Sequence, residues 1–211
     1  MDVLKIDRNR VDSSALEAAV SVLRAGGVVA YPTESLYGLG VDPRISSAVD
    51  RLRSIKGRDP KRPIPVVVSD VAMLRRLVIV PDKALPLMEN FCPGPLTLVL
   101  RPRAGEGEAL CKALGGQGLG IRVPGLAWPR EISKVLDFAV TATSANITNG
   151  PDAADAGELI GMLGRAMDLV LDAGPVGPGP PSTVLDMTGD DLLVLREGAI
   201  DMKSVKRIWG E

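Results

Sequence analysis

The order of apolar and polar positions predicts helices and strands that alternate along most of the chain. Residues 14–23 carry apolar side chains three and four positions apart, which is typical of an amphipathic helix, and Ser14 begins a capping-box spacing. A pair of glycines ends this helix, and the apolar run 27–30 then predicts a buried strand that stops at Pro32. The first forty residues therefore predict a helix followed by a strand.

The same patterns predict the elements of the remaining chain. Helices are predicted at about 46–56, 71–78, 83–89, 129–136, 156–163 and 202–209. Strands are predicted at 64–68, 96–101, 119–123, 138–142, 169–171, 183–186 and 192–195, and the glycine-rich segment 105–120 is predicted as a loop. Because crossovers mix with closely spaced strands and no internal repeat is present, we predict one α/β domain over 1–211 with a mixed sheet.

Polar side chains stand where several predicted strands begin or end. The stretch Tyr31–Gly40 holds two hydroxyl side chains, a carboxylate and both tyrosines of the protein, directly after a buried strand. Open α/β sheets bind ligands at the carboxyl ends of their strands, although hydroxyls and tyrosines also occur in cores. Taken alone, this stretch fits a ligand site and a part of the core equally well. Four further polar ends make a ligand site the more specific interpretation, and they are Arg122, Ser144-x-Asn146, Ser182-Thr183 and Arg196.

A cluster of cations follows the second predicted helix. Six cations against the single acid Asp59 give residues 51–62 a net charge of +5. Arg51 and Arg53 lie on the helix itself, where solvent and the helix dipole stabilise cations. The other four, Lys56, Arg58, Lys61 and Arg62, surround glycine and proline residues and can converge on a phosphate. Since no Walker motif is present, we expect side chains rather than a glycine loop to hold the phosphates.

Composition narrows the function further. The 211 residues can bury a substantial core, and 45% hydrophobic with 24% charged residues is typical of a soluble globular protein. The N-terminus lacks a signal-peptide pattern and no apolar run approaches the roughly 18 residues of a membrane helix, so we expect a cytoplasmic protein without a membrane partner. The absence of histidine excludes Ser-His-Asp and Cys-His nucleophile systems and histidine-ligated metals. Two cysteines are too few for a disulfide framework and predict free thiols.

Taken in order, these residues resemble the YrdC-type threonylcarbamoyl-AMP synthases. The similarity covers about residues 11–200, and although each motif is short, their joint order and spacing are specific. The matching motifs are Tyr31-Pro32-Thr33-Glu34, Tyr37-Gly38-Leu39-Gly40, Lys56-Gly57-Arg58, Pro93-Gly94-Pro95-Leu96-Thr97, Ile121-Arg122-Val123-Pro124, Ser144-Ala145-Asn146, Ser182-Thr183-Val184 and Arg196-Glu197-Gly198-Ala199-Ile200.

The resemblance implies a fold and an activity. The fold would be a single-domain, twisted, open mixed α/β sheet with a concave, positively charged cavity. The activity would convert L-threonine, bicarbonate or CO2, and ATP into threonylcarbamoyl-AMP and pyrophosphate. A downstream threonylcarbamoyl transferase would then use the product to modify adenosine 37 of certain tRNAs. Mg²⁺ would enter with the ATP phosphates, without metal ligands supplied by the protein.

The resemblance also implies residue roles. Lys56 and Arg58 would act in catalysis and bind ATP together with Arg62, Ser144, Asn146 and Arg196. Thr33, Arg122 and Ser182 would surround threonine. The chain departs from the family pattern at two positions: Val67 stands where many relatives carry a histidine, and Thr143 replaces a proline before the Ser-x-Asn element.

A histidine-free site is compatible with this reaction. Threonine and CO2 give a carbamate that is already anionic, so its attack on the α-phosphate needs alignment and charge neutralisation rather than a histidine base. Two alternatives remain at this point: a non-catalytic RNA-binding module, and a carbamoyl-adenylate-handling domain as in hydrogenase maturation. An RNA-binding module would usually show a broader basic surface or stacking aromatics, whereas the net charge is −1 and aromatics are 3%.

Overall fold

The computed structural model describes residues 1–57, 59, 62–146, 150, 153–177 and 179–210. Within these residues the strands are β1 (Asp2–Lys5), β2 (Val29–Pro32), β3 (Tyr37–Gly40), β4 (Val66–Val67), β5 (Leu96–Leu100), β6 (Leu119–Arg122), β7 (Val140–Thr141), β8 (Thr143–Ser144), β9 (Leu169–Asp172), β10 (Thr183–Asp186) and β11 (Leu193–Arg196). The α-helices are α1 (Ser13–Arg24), α2 (Ser46–Lys56), α3 (Val71–Leu77), α4 (Leu85–Phe91), α5 (Glu106–Ala113), α6 (Ala127–Leu136), α7 (Ala156–Leu163) and α8 (Met202–Trp209).

The strands form two mixed sheets rather than the single sheet that the sequence predicts. One sheet has the order β1-β9-β2-β3-β8 and the other β11-β10-β5-β6-β4-β7. Each sheet combines parallel pairs, such as β1 with β9 and β5 with β10, and antiparallel pairs, such as β2 with β3 and β5 with β6. Helix α6 contacts β2 of the first sheet and β4 and β7 of the second, so it packs against both sheets. The predicted α/β class with mixed pairing is confirmed.

One short segment, residues 140–144, joins the two sheets. Its first half, β7, pairs antiparallel with β4, and its second half, β8, pairs antiparallel with β3. At the crossing point the backbone N–H of Thr141 donates to Val41 O over 3.2 Å, and that of Ala142 donates to Pro65 O over 2.8 Å. The Thr141 hydroxyl accepts from the Val41 N–H over 2.9 Å, so this buried polar side chain is satisfied within the core. The segment therefore fixes the position of the strand that ends at Ser144.

Most predicted helices and strands are confirmed, and the exceptions have local causes. Helix α1 is capped by Asp12, whose carboxylate accepts from the Ala15 N–H over 2.9 Å, and not by a box that begins at Ser14. The polar stretch after Pro32 contains the strand β3, and β1 was not predicted because its residues are largely exposed. Cys92 and Cys111 are free thiols, as expected. Among the described residues, no helix has the length and apolar character needed to cross a membrane.

The prediction of a loop over 105–120 is wrong in its first half, where α5 lies. Gly105 precedes the helix with a φ of 87°, a backbone conformation that favours glycine, so it initiates the helix instead of preventing one. Gly107 lies inside the helix and packs against the end of α3: a Cβ added there would stand 2.0 Å from the Leu77 carbonyl oxygen. The two glycines that suggested a loop are thus required by helix initiation and by close helix packing.

We expect Gly107→Ala to lower the free energy of unfolding by about 1–3 kcal/mol, because the added methyl group forces α5 away from the backbone of α3. Gly161→Ala is the matched control, since nothing lies within 4 Å of the Cβ position in helix α7. There the substitution should be neutral or stabilise by about 0.4–1 kcal/mol. Urea denaturation of both variants checks the pair, and equal effects would contradict the close packing of α5 on α3.

Candidate active site

A cavity of about 1250 Å³ lies on one face of the six-stranded sheet and extends to the loop between β2 and β3. The carboxyl ends of β6 and β11 meet the amino ends of β5 and β10 there, because neighbouring strands run antiparallel. Seven predicted site residues line it: Thr33, Arg62, Arg122, Ser144, Asn146, Ser182 and Arg196. Lys56 lies behind this wall, and Arg58 and Lys61 lie outside the described residues. Side chains that are far apart in the sequence therefore converge on one cavity.

Arg122 enters the cavity from the end of β6 and is held on two sides. Its Nη2 lies 2.7 Å from Glu34 Oε1, and its Nε donates to Gly94 O over 2.9 Å. The same Glu34 oxygen accepts from the Gly125 backbone N–H over 2.6 Å. The Arg122 side chain is only 15% exposed, so it needed an anionic partner, and Glu34 supplies it. Sequence reasoning gave Glu34 no role, although its place in the matching motif marked it.

Arg196 and Ser182 form a second polar group beside Arg122. Arg196 donates from Nε to Ser182 O over 3.0 Å and from Nη2 to Ser182 Oγ over 2.9 Å. The Ser182 hydroxyl is also 2.9 Å from Thr97 Oγ1, a buried hydroxyl inside β5 that sequence analysis did not propose as a site residue. Burial lowers the pKa of Arg196, and the nearby charge of Arg122 lowers it further. Two guanidinium groups close enough to influence each other favour an anionic ligand between or beside them.

Lys56 donates hydrogen bonds to both polar residues of the Ser-x-Asn element. The residue is 2% exposed, and its Nζ donates to Ser144 O over 2.6 Å and to Asn146 Oδ1. Ser144 Oγ donates to the same Asn146 oxygen over 2.9 Å. The C-terminal end of α2 places the ammonium there, and Gly57 with a φ of 56° ends the helix just after it. The structure shows that Lys56 contacts both Ser144 and Asn146. A direct contact of Lys56 with a phosphate stays a prediction.

The loop between β2 and β3 is both part of the core and part of the cavity wall. Tyr31 is buried and donates its hydroxyl to Thr141 O over 3.0 Å, and burial raises its pKa well above the ordinary value. Tyr37 donates to Gly174 O over 2.8 Å. The Thr33 hydroxyl donates to Leu36 O over 2.6 Å and so shapes the turn, while the residue lines the cavity. The core interpretation is confirmed for the two tyrosines, and the ligand-site interpretation of Thr33 stays a prediction.

The cations of residues 51–62 have different surroundings in the structure. Arg51 is not merely solvated, because its guanidinium pairs with Asp168 at 2.6 Å and donates to Ala166 O over 2.8 Å. Burial alone would raise the pKa of Asp168, but hydrogen bonds from Arg51 and from the Val28 N–H hold it below its ordinary value. Arg62 lines the cavity. Of the cluster, the structure thus places one described cation in the cavity wall and one in a tertiary ion pair.

Acidic side chains are few around the cavity. Within the described part of the chain, Glu34 and Asp186 are the two carboxylates that line it, and no group of three metal-ligating side chains occurs. Mg²⁺ commonly binds through substrate phosphates, water and one or two carboxylates, and not in an all-protein cage. This donor set fits a magnesium ion that enters with a phosphate ligand.

The chain is similar to one family over most of its length. Residues 21–198 match the family model Sua5_yciO_yrdC, described as "Telomere recombination". The threonylcarbamoyl-AMP synthase of Bacillus subtilis is 31% identical over 205 residues, which cover 97% of this chain and 59% of that protein. The threonylcarbamoyl-AMP synthase of Idiomarina loihiensis is 32% identical over 174 residues, which cover 81% of this chain and 91% of that protein.

A solved structure agrees with these sequence matches. Pyrococcus abyssi Sua5 complexed with L-threonine aligns with a TM-score of 0.91 at 28% identity, covering 100% of this chain and 62% of that one. The chain thus spans about three fifths of the length of the Bacillus and Pyrococcus proteins, at 59% and 62%.

We expect Lys56→Met to lower the free energy of unfolding by about 1–3 kcal/mol, because it leaves the Ser144 carbonyl and the buried Asn146 oxygen without their cationic donor. Lys112→Met on the exposed surface of α5 is the matched control and should stay within about 0.5 kcal/mol of the wild type. Chemical denaturation measures both. If Lys56→Met were as stable as the control, the ammonium would not be part of the folded core.

Proposed function

This chain belongs to the Sua5/YciO/YrdC family, and on that premise we propose that it is an L-threonylcarbamoyladenylate synthase. It would form threonylcarbamoyl-AMP and pyrophosphate from L-threonine, bicarbonate or CO2, and ATP. The observation that carries the proposal is the convergence, in one cavity, of side chains expected at the nucleotide with side chains expected at the amino acid. The cavity volume of about 1250 Å³ exceeds the roughly 300–1,000 Å³ of an ordinary ligand pocket, which suits two substrates side by side.

The reaction requires alignment more than acid–base chemistry. The carbamate oxygen of N-carboxythreonine forms a bond to the α-phosphorus of ATP, the bond to the bridging oxygen of the β-phosphate breaks, and pyrophosphate leaves with that electron pair. Arg62 and Arg196 would neutralise the triphosphate from the cavity wall. Arg58 is assigned to the same role by the family motif. Mg²⁺, when it is bound through the phosphate oxygens, would neutralise further charge.

Two supports hold the reacting groups in place. Ser144 and Asn146, which Lys56 contacts, would donate to the nucleotide from a position that cannot shift without breaking these hydrogen bonds. Arg122 would take the amino-acid carboxylate, because its Nη1 has no acceptor among the described residues. Ser182 contacts Arg196 and Thr97, so it lies where the two substrates would meet.

The product places the enzyme in a tRNA modification sequence. Threonylcarbamoyl-AMP is a mixed anhydride that would be consumed by a transferase acting on adenosine 37 of certain tRNAs. The chain itself would need no tRNA contact for the first step.

We expect the purified protein to release pyrophosphate from ATP only when both L-threonine and bicarbonate are present. A coupled pyrophosphate assay with each substrate omitted in turn, with and without Mg²⁺, measures this. Release that is independent of threonine would refute the synthase. RNA binding without turnover would instead support the alternative of an RNA-binding module, and carbamoyl phosphate as the preferred donor would support the carbamoyl-adenylate alternative.

Substitution of Arg122 and of Arg196 should change the KM values of different substrates. Arg122→Ala removes the carboxylate partner and should raise the KM for threonine by roughly ten- to a hundredfold, with a smaller change for ATP. Arg196→Ala should have the reverse pattern, since its guanidinium is assigned to the phosphates. Steady-state kinetics in both substrates tests the assignment. Equal effects of either variant on the two KM values would mean that the arginine has a structural role only.

A further inference from the structure

One side chain of the N-terminal segment holds the backbone of the loop between β2 and β3. Arg8 donates from a single nitrogen, Nη2, to two successive carbonyls of that loop, Thr33 O over 3.0 Å and Glu34 O over 2.6 Å. Hydrogen bonds from a charged donor are roughly twice as strong as neutral ones. Among the described residues, no other side chain from outside the loop bonds to the backbone of residues 33–36. Arg8 is therefore a restraint on the loop that comes from outside the hairpin.

The backbone that carries Arg8 is itself fixed. The Ile6 N–H donates to Asp172 O, at the end of β9, over 2.8 Å. The indole N–H of the buried Trp128 donates to Asp7 O over 2.8 Å. Arg8 thus reaches the loop from a position that its two preceding neighbours define, and it is not one of the described residues that line the cavity.

The loop that Arg8 holds carries the anionic partner of Arg122. Glu34 Oε1 lies 2.7 Å from Arg122 Nη2 and accepts from the Gly125 N–H over 2.6 Å. Arg122 Nε donates separately to Gly94 O over 2.9 Å. The orientation of the Arg122 guanidinium therefore depends on two contacts, and one of them lies on the loop. Glu34 connects the two arginines, since Arg8 holds its backbone carbonyl and Arg122 its carboxylate.

We propose that Arg8 is a positioning residue for the amino-acid substrate: it keeps the loop between β2 and β3 in the conformation in which Glu34 orients Arg122. The inference rests on the proposed function in so far as Arg122 binds the carboxylate of the amino acid. Arg8 lies outside residues 21–198, the part of the chain that matches the family model, so the family motifs do not assign it.

The loss of Arg8 should weaken threonine and leave ATP unaffected. Removal of its guanidinium leaves both Glu34 and Arg122 in the chain, so the charge of that pair does not change. What changes is the order of the loop, because only a fraction of the molecules then holds Arg122 in the binding orientation. The apparent Kd of a ligand that needs this orientation rises by the inverse of that fraction. ATP is assigned to Arg62 and Arg196, which the loop does not carry.

The test measures binding of L-threonine and of ATP, each alone, by isothermal titration calorimetry. Arg8→Met keeps an aliphatic side chain and removes every donor. It should raise the Kd for threonine about five- to thirtyfold, a part of the roughly ten- to hundredfold that a hydrogen bond to a charged group can supply. The Kd for ATP should change by less than about twofold. Arg8→Lys retains the charge and three donors, so it should recover most of the affinity for threonine.

Arg10→Met is the matched control for charge. It removes a cation two residues further along the same segment, where the side chain is exposed. The affinity for threonine should stay at the wild-type value. An equal loss in Arg10→Met and Arg8→Met would show that positive charge near the N-terminus, and not the hold on the loop, supports binding, and would overturn the proposal.

Hydrogen–deuterium exchange gives a readout that needs no ligand. In the wild type the Thr33 N–H donates to Leu36 O over 2.8 Å within the loop. Peptides that cover residues 31–38 should exchange faster in Arg8→Met than in the wild type or Arg10→Met, while the other peptides stay unchanged. Unchanged exchange in the loop would overturn the proposal. Faster exchange throughout the molecule would also overturn it, because Arg8 would then support the whole fold.

A second substitution tests the route through Glu34. Added to Glu34→Ala, Arg8→Met should weaken threonine by less than about twofold further, because no carboxylate remains on the loop for Arg8 to position. A further loss as large as in the wild-type background would show another route and overturn the proposal.

Failure of the proposed function gives a different result. The wild type would then bind threonine with the expected dependence on Arg8 but release no pyrophosphate with threonine, bicarbonate and ATP. A wild type that does not bind threonine would overturn the present proposal.

Discussion

The cavity depends on one constraint, the pairing of residues 140–144 with both sheets. Val140 and Thr141 pair antiparallel with β4, and Thr143 and Ser144 pair antiparallel with β3. Since each backbone polar group must find a partner when it is buried, this crossing leaves no freedom to the strand end. Ser144 and Asn146 therefore lie at the end of a segment paired with both sheets, and they line the same cavity as the arginines that the six-stranded sheet contributes.

The site is built from charges that the protein compensates in different ways. The Lys56 ammonium is buried and satisfied by oxygens of the Ser-x-Asn element, and Arg122 is paired with Glu34. Arg196 is held by a hydroxyl and a carbonyl, neither of which carries a charge. Its positive charge remains available to an anion, and the charge of Arg122 close by strengthens that preference. The two arginines of the cavity wall are therefore compensated unevenly, Arg122 by a carboxylate and Arg196 by neutral oxygens.

Much of the fold could be predicted because apolar spacing follows the burial of each element. Helices α7 and α8 and strand β10 have the predicted bounds, since each has a clear period and a turn on either side. Strand β1 could not be predicted in this way, because its residues are exposed and it is a strand only through its parallel pairing with β9. Helix α5 was missed because Gly105 initiates it with a positive φ and Gly107 is required by contact with the Leu77 carbonyl, which is distant along the chain.

By itself the sequence determined the α/β class, the family resemblance and the set of polar side chains at strand ends, because these are local patterns of residue type and spacing. Only the tertiary structure decided which of them meet. It placed the Lys56 ammonium against Ser144 and Asn146, and it paired Arg51 with Asp168. It also paired Glu34 with Arg122, although their residue numbers differ by 88. The physical reason is that a charge becomes structural or available according to what lies within about 4 Å of it, and the packing of helices, strands and loops sets that neighbourhood.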